Sequence, residues 1–139
     1  MASRRERDSA DVARYLPRNT RLLSMNGRDV WVFTKNTELG VAFEIGIYFE
    51  PDEDGYCAQV ISPEIEASWK NAHVGHIFSD AVICMGYGGN PKTRPTLRAS
   101  YAKSCLWAEG MAAMIQGLRH GRKIPFPFSI NNSENDLEA

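Results

Sequence analysis

Hydrophobic and polar positions alternate along much of the first half of the chain, and this pattern predicts β-strands. Between residues 41 and 49 every second position is apolar, as in a strand that buries one face. Asn26-Gly27 separates two β-favouring runs, and both residues tolerate the positive φ of a tight hairpin turn. A second turn, "DEDG" at 52–55, precedes "YCAQVISP". We therefore expect four strands with short connections, as in an antiparallel meander.

A helical period replaces this alternation near both ends of the pattern. Ser9 precedes an amphipathic stretch that ends at Pro17 and predicts an N-terminal helix of about three turns. Residues 96–121 predict one long helix, because Pro95 is suited to its start and Gly121 to its end. The expected apolar stripe of this helix consists of Tyr101, Cys105, Ala108, Ala112 and Ile115.

These elements predict an α+β fold. Its order is an N-terminal helix, a four-stranded antiparallel meander, an irregular segment that carries a cysteine, and a long central helix, with the helices on one side of the sheet. We expect residues 1–128 to form a single domain and the polar, acidic tail at 129–139 to be disordered. The Pro/Phe segment at 124–128 has two possible roles, which are to cover the domain or to grip a partner.

The composition narrows the classes of partner. Sixteen Lys and Arg residues stand against seventeen Asp and Glu residues, so no global charge draws the chain to nucleic acid or to an anionic membrane. No apolar run approaches the roughly 20 residues of a membrane helix, and the charged start has no signal-peptide core. Three cysteines without a Cys-x-x-Cys pair argue against a disulfide framework and a structural zinc site. These features predict a soluble, cytoplasmic protein.

The segment "HIFSDAVICMG" at 76–86 contains the candidate chemistry. Cys84 lies between a strand-like run and a glycine-rich loop, a setting that anchors the backbone and leaves a sulfur open to solvent. A thiol of ordinary pKa, about 8.5, is a few per cent thiolate at neutral pH, which suffices for exchange between thioesters. Such exchange needs a hydrogen-bond donor where oxyanion charge develops, and His76 lies upstream. Cys57 and Cys105 fall in a strand and a helix, and we interpret both as structural.

Three short motifs follow one another around this segment. "ISPE" at 61–64 ends the last long strand, "VICM" at 82–85 carries the cysteine, and "TRPTL" at 93–97 leads into the long helix. With the order of helices and strands, these motifs resemble the ubiquitin-conjugating enzyme family over residues 12–117. That family has the same succession of elements and places its catalytic cysteine in an Ile-Cys-Leu context.

The chain departs from the family pattern in two places. The family's His-Pro-Asn motif corresponds here to Val74-Gly75-His76, so that an imidazole replaces the amide of asparagine. The family's helices after the central helix are largely missing, which puts the family's ligase-binding surface in doubt. The exchange of Asn for His is similar to divergent bacterial relatives, which are found with a ubiquitin-like protein, an activating enzyme and a deconjugating protease in antiphage defence operons.

The resemblance implies a function and the residues that perform it. Cys84 would accept the C-terminal carboxyl group of a ubiquitin-like modifier from an activating enzyme, and a lysine of a protein substrate would displace it. His76 would donate a hydrogen bond to the oxyanion. Asp80 would assist the lysine, whose neutral form is scarce because its ordinary pKa is about 10.4. Residues 86–95 would form a gate, with Tyr87 on the modifier tail, and no cofactor or metal is expected.

Other interpretations of the same residues stay open. Cys84 is also explained as a packed core residue of an inactive relative that only binds a modifier or partner, or as the nucleophile of an unrelated cysteine hydrolase. His76 is alternatively a surface or capping histidine, and Asp80 a turn residue. A zinc site of His73, His76 and Cys84 lacks a fourth ligand. "GYGGN" lacks the Gly-Lys-Ser/Thr of a phosphate-binding loop.

Overall fold

The computed structural model has an α+β fold in which helices pack on one face of an antiparallel sheet. The structure describes residues 2–85 and 94–127. All four strands pair antiparallel in the order β1-β2-β3-β4, so the predicted meander is confirmed. The elements are α1 (Arg4–Tyr15), β1 (Arg21–Met25), β2 (Arg28–Asn36), β3 (Ala42–Glu50), β4 (Gly55–Ser62), a single 3-10 turn (Ala67–Trp69) and α2 (Leu97–Arg119).

The first hairpin turn and the third strand have the structure that the sequence predicted. Asn26 and Gly27 have φ values of 55° and 76°, as a two-residue turn between β1 and β2 requires. Along β3, the alternating residues Phe43, Ile45 and Ile47 are completely buried. They belong to the core face of the sheet, on which the helices pack.

Helix α1 begins earlier than predicted. The Ser3 hydroxyl accepts a hydrogen bond from the Glu6 N–H (3.1 Å), and the Glu6 carboxylate accepts one from the Ser3 N–H (3.2 Å). This capping box fixes the start of the helix, so the expected start after Ser9 is wrong. The buried Asp8 then accepts a hydrogen bond from the Tyr56 hydroxyl (2.6 Å), which ties α1 to β4.

Helix α2 supplies most of the helical part of the core. Thr96 caps its start by accepting a hydrogen bond from the Ala99 N–H (3.2 Å), and the chain reverses at Gly121 (φ 74°), as predicted. The predicted stripe is only one edge of the buried face, since Tyr101 and Cys105 are half-buried. The residues of α2 that are completely buried are Leu97, Ser100, Lys103, Ser104, Trp107, Ala108, Met111 and Ala112.

Two predicted features lie wholly or partly outside the described residues. Of the expected gate at 86–95, the structure describes only Arg94 and Pro95, and it does not describe Tyr87. The expected tail at 129–139 lies outside as well. Among the described residues, no helix combines the length and the hydropathy needed to cross a membrane.

Candidate functional site

His76 and Cys84 lie opposite each other in a short hairpin. The Cys84 N–H donates a hydrogen bond to the His76 carbonyl (2.8 Å). The next pair towards the turn, Ile77 and Ile83, forms an antiparallel bridge, and both side chains are buried. The spacing seen in the sequence therefore pairs the imidazole-bearing residue with the thiol-bearing residue.

The hairpin is attached to the edge of the sheet at β4. The Val60 N–H donates a hydrogen bond to the Ala81 carbonyl (2.8 Å), and the Ile83 N–H donates one to the Ala58 carbonyl (2.9 Å). Residues 81–83 thereby extend the sheet beyond β4. Because β4 is the last strand of the meander, this attachment places the cysteine at one defined edge of the sheet.

His76 combines an unusual backbone conformation with a side chain that packs against an aromatic ring. The His76 backbone is left-handed (φ 52°), a conformation in which asparagine and histidine are enriched. The imidazole packs against the Phe126 ring, with centroids 4.7 Å apart and 63° between the planes. Its Nδ1 atom is buried and has no hydrogen-bond partner within the part of the chain that the structure describes.

The environment of His76 favours the neutral imidazole. Burial lowers the pKa of His76, and the nearby His73 lowers it further. At neutral pH the ring therefore carries a single N–H. Placing this proton on Nε2 avoids burying an unsatisfied donor at Nδ1. In this tautomer Nε2 is the one N–H donor of the ring.

Gly75 joins the chain before the hairpin to helix α2. Its carbonyl accepts a hydrogen bond from the Trp107 indole N–H (2.8 Å). A β-carbon at Gly75 would overlap the carbonyl oxygen of Trp69 and lie 3.1 Å from Met111 Cε. Only glycine allows this close approach, and the approach fixes where the chain enters the hairpin at His76.

Cys84 is more deeply buried than the sequence led us to expect. Only 8% of the residue is exposed, and its neighbours Ile83 and Met85 are also buried. Because the residue is buried, the expectation of a sulfur open to solvent is wrong for this conformation. Reaction at Cys84 therefore takes place at a residue of which less than a tenth is exposed.

Asp80 lies in the turn of the hairpin. Its carboxylate accepts a hydrogen bond from the Val82 N–H (3.1 Å), and its carbonyl accepts one from the Gln59 side-chain amide (2.8 Å). These bonds shape the turn, as aspartate commonly does. Asp80 is exposed, and its predicted assistance to an attacking lysine stays a prediction.

The other two cysteines are in settings that suppress the thiolate. Burial raises the pKa of Cys57 to about 11, although the Arg94 guanidinium lies 4.0 Å from its Sγ atom. Burial is also the main cause that raises the pKa of Cys105, which contacts Tyr101 on helix α2. A thiol with a raised pKa is a poor nucleophile at neutral pH. These settings support a structural interpretation of both residues.

The residues considered as zinc ligands do not form a metal site. Among the described residues, no group of three His, Cys, Asp or Glu side chains is placed to hold a metal ion. His73 is exposed and acts on His76 through its charge, whereas Cys84 meets His76 through a backbone hydrogen bond.

Sequence reasoning missed the contact between Phe126 and His76. Phe126 belongs to the Pro/Phe segment at 124–128, for which the sequence left two roles open. The structure shows that the described part of this segment covers the domain at helix α2 and reaches the imidazole. The sequence feature that indicates this contact is the pair of glycines within the predicted long helix, Gly110 and Gly117, which leave room for another segment to pack on the helix.

Comparisons with known proteins assign no family to this chain. No protein-family model, no curated protein and no solved structure matches it. The resemblance to ubiquitin-conjugating enzymes therefore rests on the order of elements and on the short motifs described above.

Proposed function

We propose that this chain is a conjugating enzyme for a ubiquitin-like modifier, with Cys84 as its nucleophile and His76 as its oxyanion donor. The observation that carries the proposal is the hairpin in which the Cys84 N–H bonds to the His76 carbonyl (2.8 Å). In the resemblance these two positions correspond to the family's catalytic cysteine and asparagine, so their pairing supports the proposal. The α+β order, with a meander before the hairpin and a long helix after it, supports the same function.

The backbone of His76 supports its comparison with the family's asparagine. Its φ of 52° lies in the left-handed region, which admits asparagine more readily than most side chains. The neutral imidazole offers one N–H, as the amide of asparagine offers its NH₂ group. Oxyanion donors of this kind contribute on the order of 3 kcal/mol to the stability of the transition state.

The first step is an exchange between two thioesters. The Cys84 thiolate attacks the carbonyl carbon of the modifier's C-terminal glycyl or other acyl group, which the activating enzyme holds on its own cysteine. A bond forms between Cys84 Sγ and this carbon, and the bond to the activating enzyme's sulfur breaks, so that its cysteine leaves as a thiolate. The oxidation state of every atom is unchanged.

The second step transfers the modifier to an amine. A neutral lysine of the protein substrate attacks the same carbonyl carbon, and His76 donates a hydrogen bond to the oxyanion that forms. The carbon–sulfur bond then breaks, Cys84 leaves as a thiolate, and the nitrogen releases its proton to water or to a nearby base. Asp80 is the proposed carboxylate that accepts this proton as a general base.

The biological setting follows from the same resemblance. The histidine in place of asparagine points to the bacterial relatives of antiphage defence systems, and we propose a cytoplasmic protein whose partners are a modifier, an activating enzyme and a protein substrate. The balanced charge of the chain, −1 at pH 7, favours protein partners over nucleic acid.

The burial of Cys84 supports a second candidate function. With 8% of the residue exposed, the thiol resembles a packed core cysteine. In a relative that only binds a modifier or a partner, Cys84 would stabilise the hairpin and its sulfur would take no part in chemistry. The two functions differ in whether a covalent adduct forms at this atom.

An adduct assay separates the candidates. The protein is incubated with a ubiquitin-like modifier, its activating enzyme and ATP, and the products are separated with and without a reducing thiol. A conjugating enzyme gives a reducible adduct that Cys84→Ser converts into a thiol-resistant ester. Cys105→Ser is the matched control and keeps the reducible adduct. Absence of any adduct favours the binding function, and release of modifier from a preformed conjugate favours a cysteine hydrolase.

A further inference from the structure

The chain after helix α2 turns back and runs along the helix as a strap, which we define as residues 122–127. The Arg122 N–H donates a hydrogen bond to the Gly117 carbonyl (2.8 Å), immediately after the reversal at Gly121. Ile124 and Phe126 are half-buried, whereas the residues between and beside them are exposed. The strap thus presents alternate side chains to the protein, as an extended segment does.

Two glycines of α2 provide the space for these side chains. A β-carbon at Gly117 would lie 2.6 Å from Ile124 Cδ1, and one at Gly110 would overlap the ring of Phe126. Glycine in a helix interior costs about 1 kcal/mol relative to alanine. Both glycines are therefore unfavourable for the helix by itself, and both lie where the strap makes contact.

The Phe126 ring joins this strap to the candidate site. The ring lies against Gly110 of α2. It also packs edge-to-face against the His76 imidazole, with centroids 4.7 Å apart. His76 has a buried Nδ1 atom without a hydrogen-bond partner among the described residues, so no described hydrogen bond from that atom orients the ring. Contact with Phe126 contributes to the orientation of the ring through packing.

We propose that Phe126 is a positioning residue for His76: the strap seats Phe126 on Gly110, and Phe126 holds the imidazole in one orientation beside the Cys84 hairpin. That this orientation assists acyl transfer rests on the proposed function. The restraint on the His76 ring does not, because it follows from the packing of Phe126, Gly110 and His76.

The groups that surround His76 determine what its titration reports. Burial lowers the pKa of His76, and the charge of His73 lowers it further. Cys84 is the titratable residue opposite His76 in the hairpin, and Phe126 and Gly110, the residues of the strap contact, carry no charge. Removing the Phe126 ring therefore changes the solvation of the imidazole and leaves its described charged neighbours in place.

The test measures the His76 titration by NMR in the whole protein. Phe126→Ala is expected to shift the pKa of His76 upwards, towards the ordinary value for histidine. It is also expected to let the imidazole change orientation, so that its NMR signals become averages over several orientations. Phe126→Tyr keeps an aromatic ring at this position and is expected to retain the low pKa. Phe78→Ala, which truncates an exposed aromatic residue of the same hairpin, is the matched control and leaves the titration unchanged.

Gly110→Ala removes the seat without removing the ring. The new methyl group displaces Phe126, while alanine raises the intrinsic stability of the helix. We expect the His76 pKa to rise as in Phe126→Ala with little loss of thermal stability, which also decides the case if Phe126→Ala fails to fold. Unchanged titration in folded Gly110→Ala protein would overturn the proposal. Because this measurement needs no modifier, it can succeed or fail independently of the adduct assay.

Discussion

The indole N–H of Trp107 donates a hydrogen bond to the carbonyl of Gly75 (2.8 Å), and this bond joins the middle of helix α2 to the residue before His76. Trp107 is completely buried and packs edge-to-face against Phe43 of the sheet. One side chain therefore connects the sheet, the helix and the start of the hairpin. The position of His76 is consequently coupled to the core.

We expect Gly75→Ala to destabilise the protein by about 1–3 kcal/mol, as overpacking typically does. The added β-carbon would overlap the carbonyl oxygen of Trp69, which is backbone and moves less easily than a side chain. Urea unfolding followed by tryptophan fluorescence measures the change. Gly110→Ala is the comparison, because its β-carbon meets the movable ring of Phe126. Equal unfolding midpoints for Gly75→Ala and the unsubstituted protein would contradict this close approach.

Tyr56→Phe is expected to cost about 1–3 kcal/mol, because it leaves the buried Asp8 carboxylate without its donor. The Tyr56 hydrogen bond opposes the burial that raises the pKa of Asp8. Its contribution is therefore present above the pKa of Asp8 and is lost as the pH falls through it. Unfolding at neutral and acidic pH measures this, and the cost should be smaller in acid. Tyr15→Phe is the control, because it removes a hydroxyl that accepts an exposed hydrogen bond from Arg98, and it should change the free energy of unfolding little.

Local signals in the sequence predicted the sheet and the end of α2. Asn26-Gly27 and Gly121 adopt positive φ, as their residue types favour. The start of α1 depends on an equally local signal, the capping-box spacing of Ser3 and Glu6, which lies upstream of the start predicted after Ser9. Each of these features depends on contacts within a few residues, which is why the sequence can indicate them.

Features that depend on distant contacts could not be predicted in this way. A lysine side chain is ordinarily exposed, yet Lys103 of α2 is completely buried. The seat of Phe126 on Gly110 and the burial of Cys84 likewise depend on how separate segments pack. The spacing of His76 and Cys84 was visible, whereas the burial that surrounds them was not.

The stability of the protein should fall in mild acid because of His76. The pKa of His76 is lowered in the fold, so the unfolded chain binds this proton more readily. The contribution of the neutral ring to the free energy of unfolding is fully present above about pH 6.5, the pKa of histidine in the unfolded chain. It is lost as the pH falls from there towards the pKa of His76 in the folded protein. Denaturant unfolding between about pH 7.5 and pH 5 measures the slope. His76→Asn should flatten it, and an unchanged slope would contradict the burial of the imidazole.

The choice of substitution at His76 tests its role as a donor. We expect His76→Ala to slow transfer to lysine about 100-fold, the usual effect of removing one oxyanion donor. His76→Asn supplies an amide donor and suits the left-handed backbone, so it should retain most of the rate. Discharge of a preformed Cys84 thioester to free lysine measures both. Equal rates for the alanine and asparagine variants would show that donation at this position does not matter.

The proposed function requires Cys84 to be the reactive cysteine although it is buried in this conformation, and alkylation of the native protein tests this requirement. The Cys57 thiol, with its pKa raised to about 11, is thiolate in roughly one molecule in a thousand at pH 8. Iodoacetamide labelling at that pH, mapped by mass spectrometry over time, compares all three cysteines in one sample. We predict that Cys84 is labelled well before Cys57 and Cys105 while the protein stays folded. Labelling of Cys84 no faster than Cys57, at the rate of global unfolding, would contradict it.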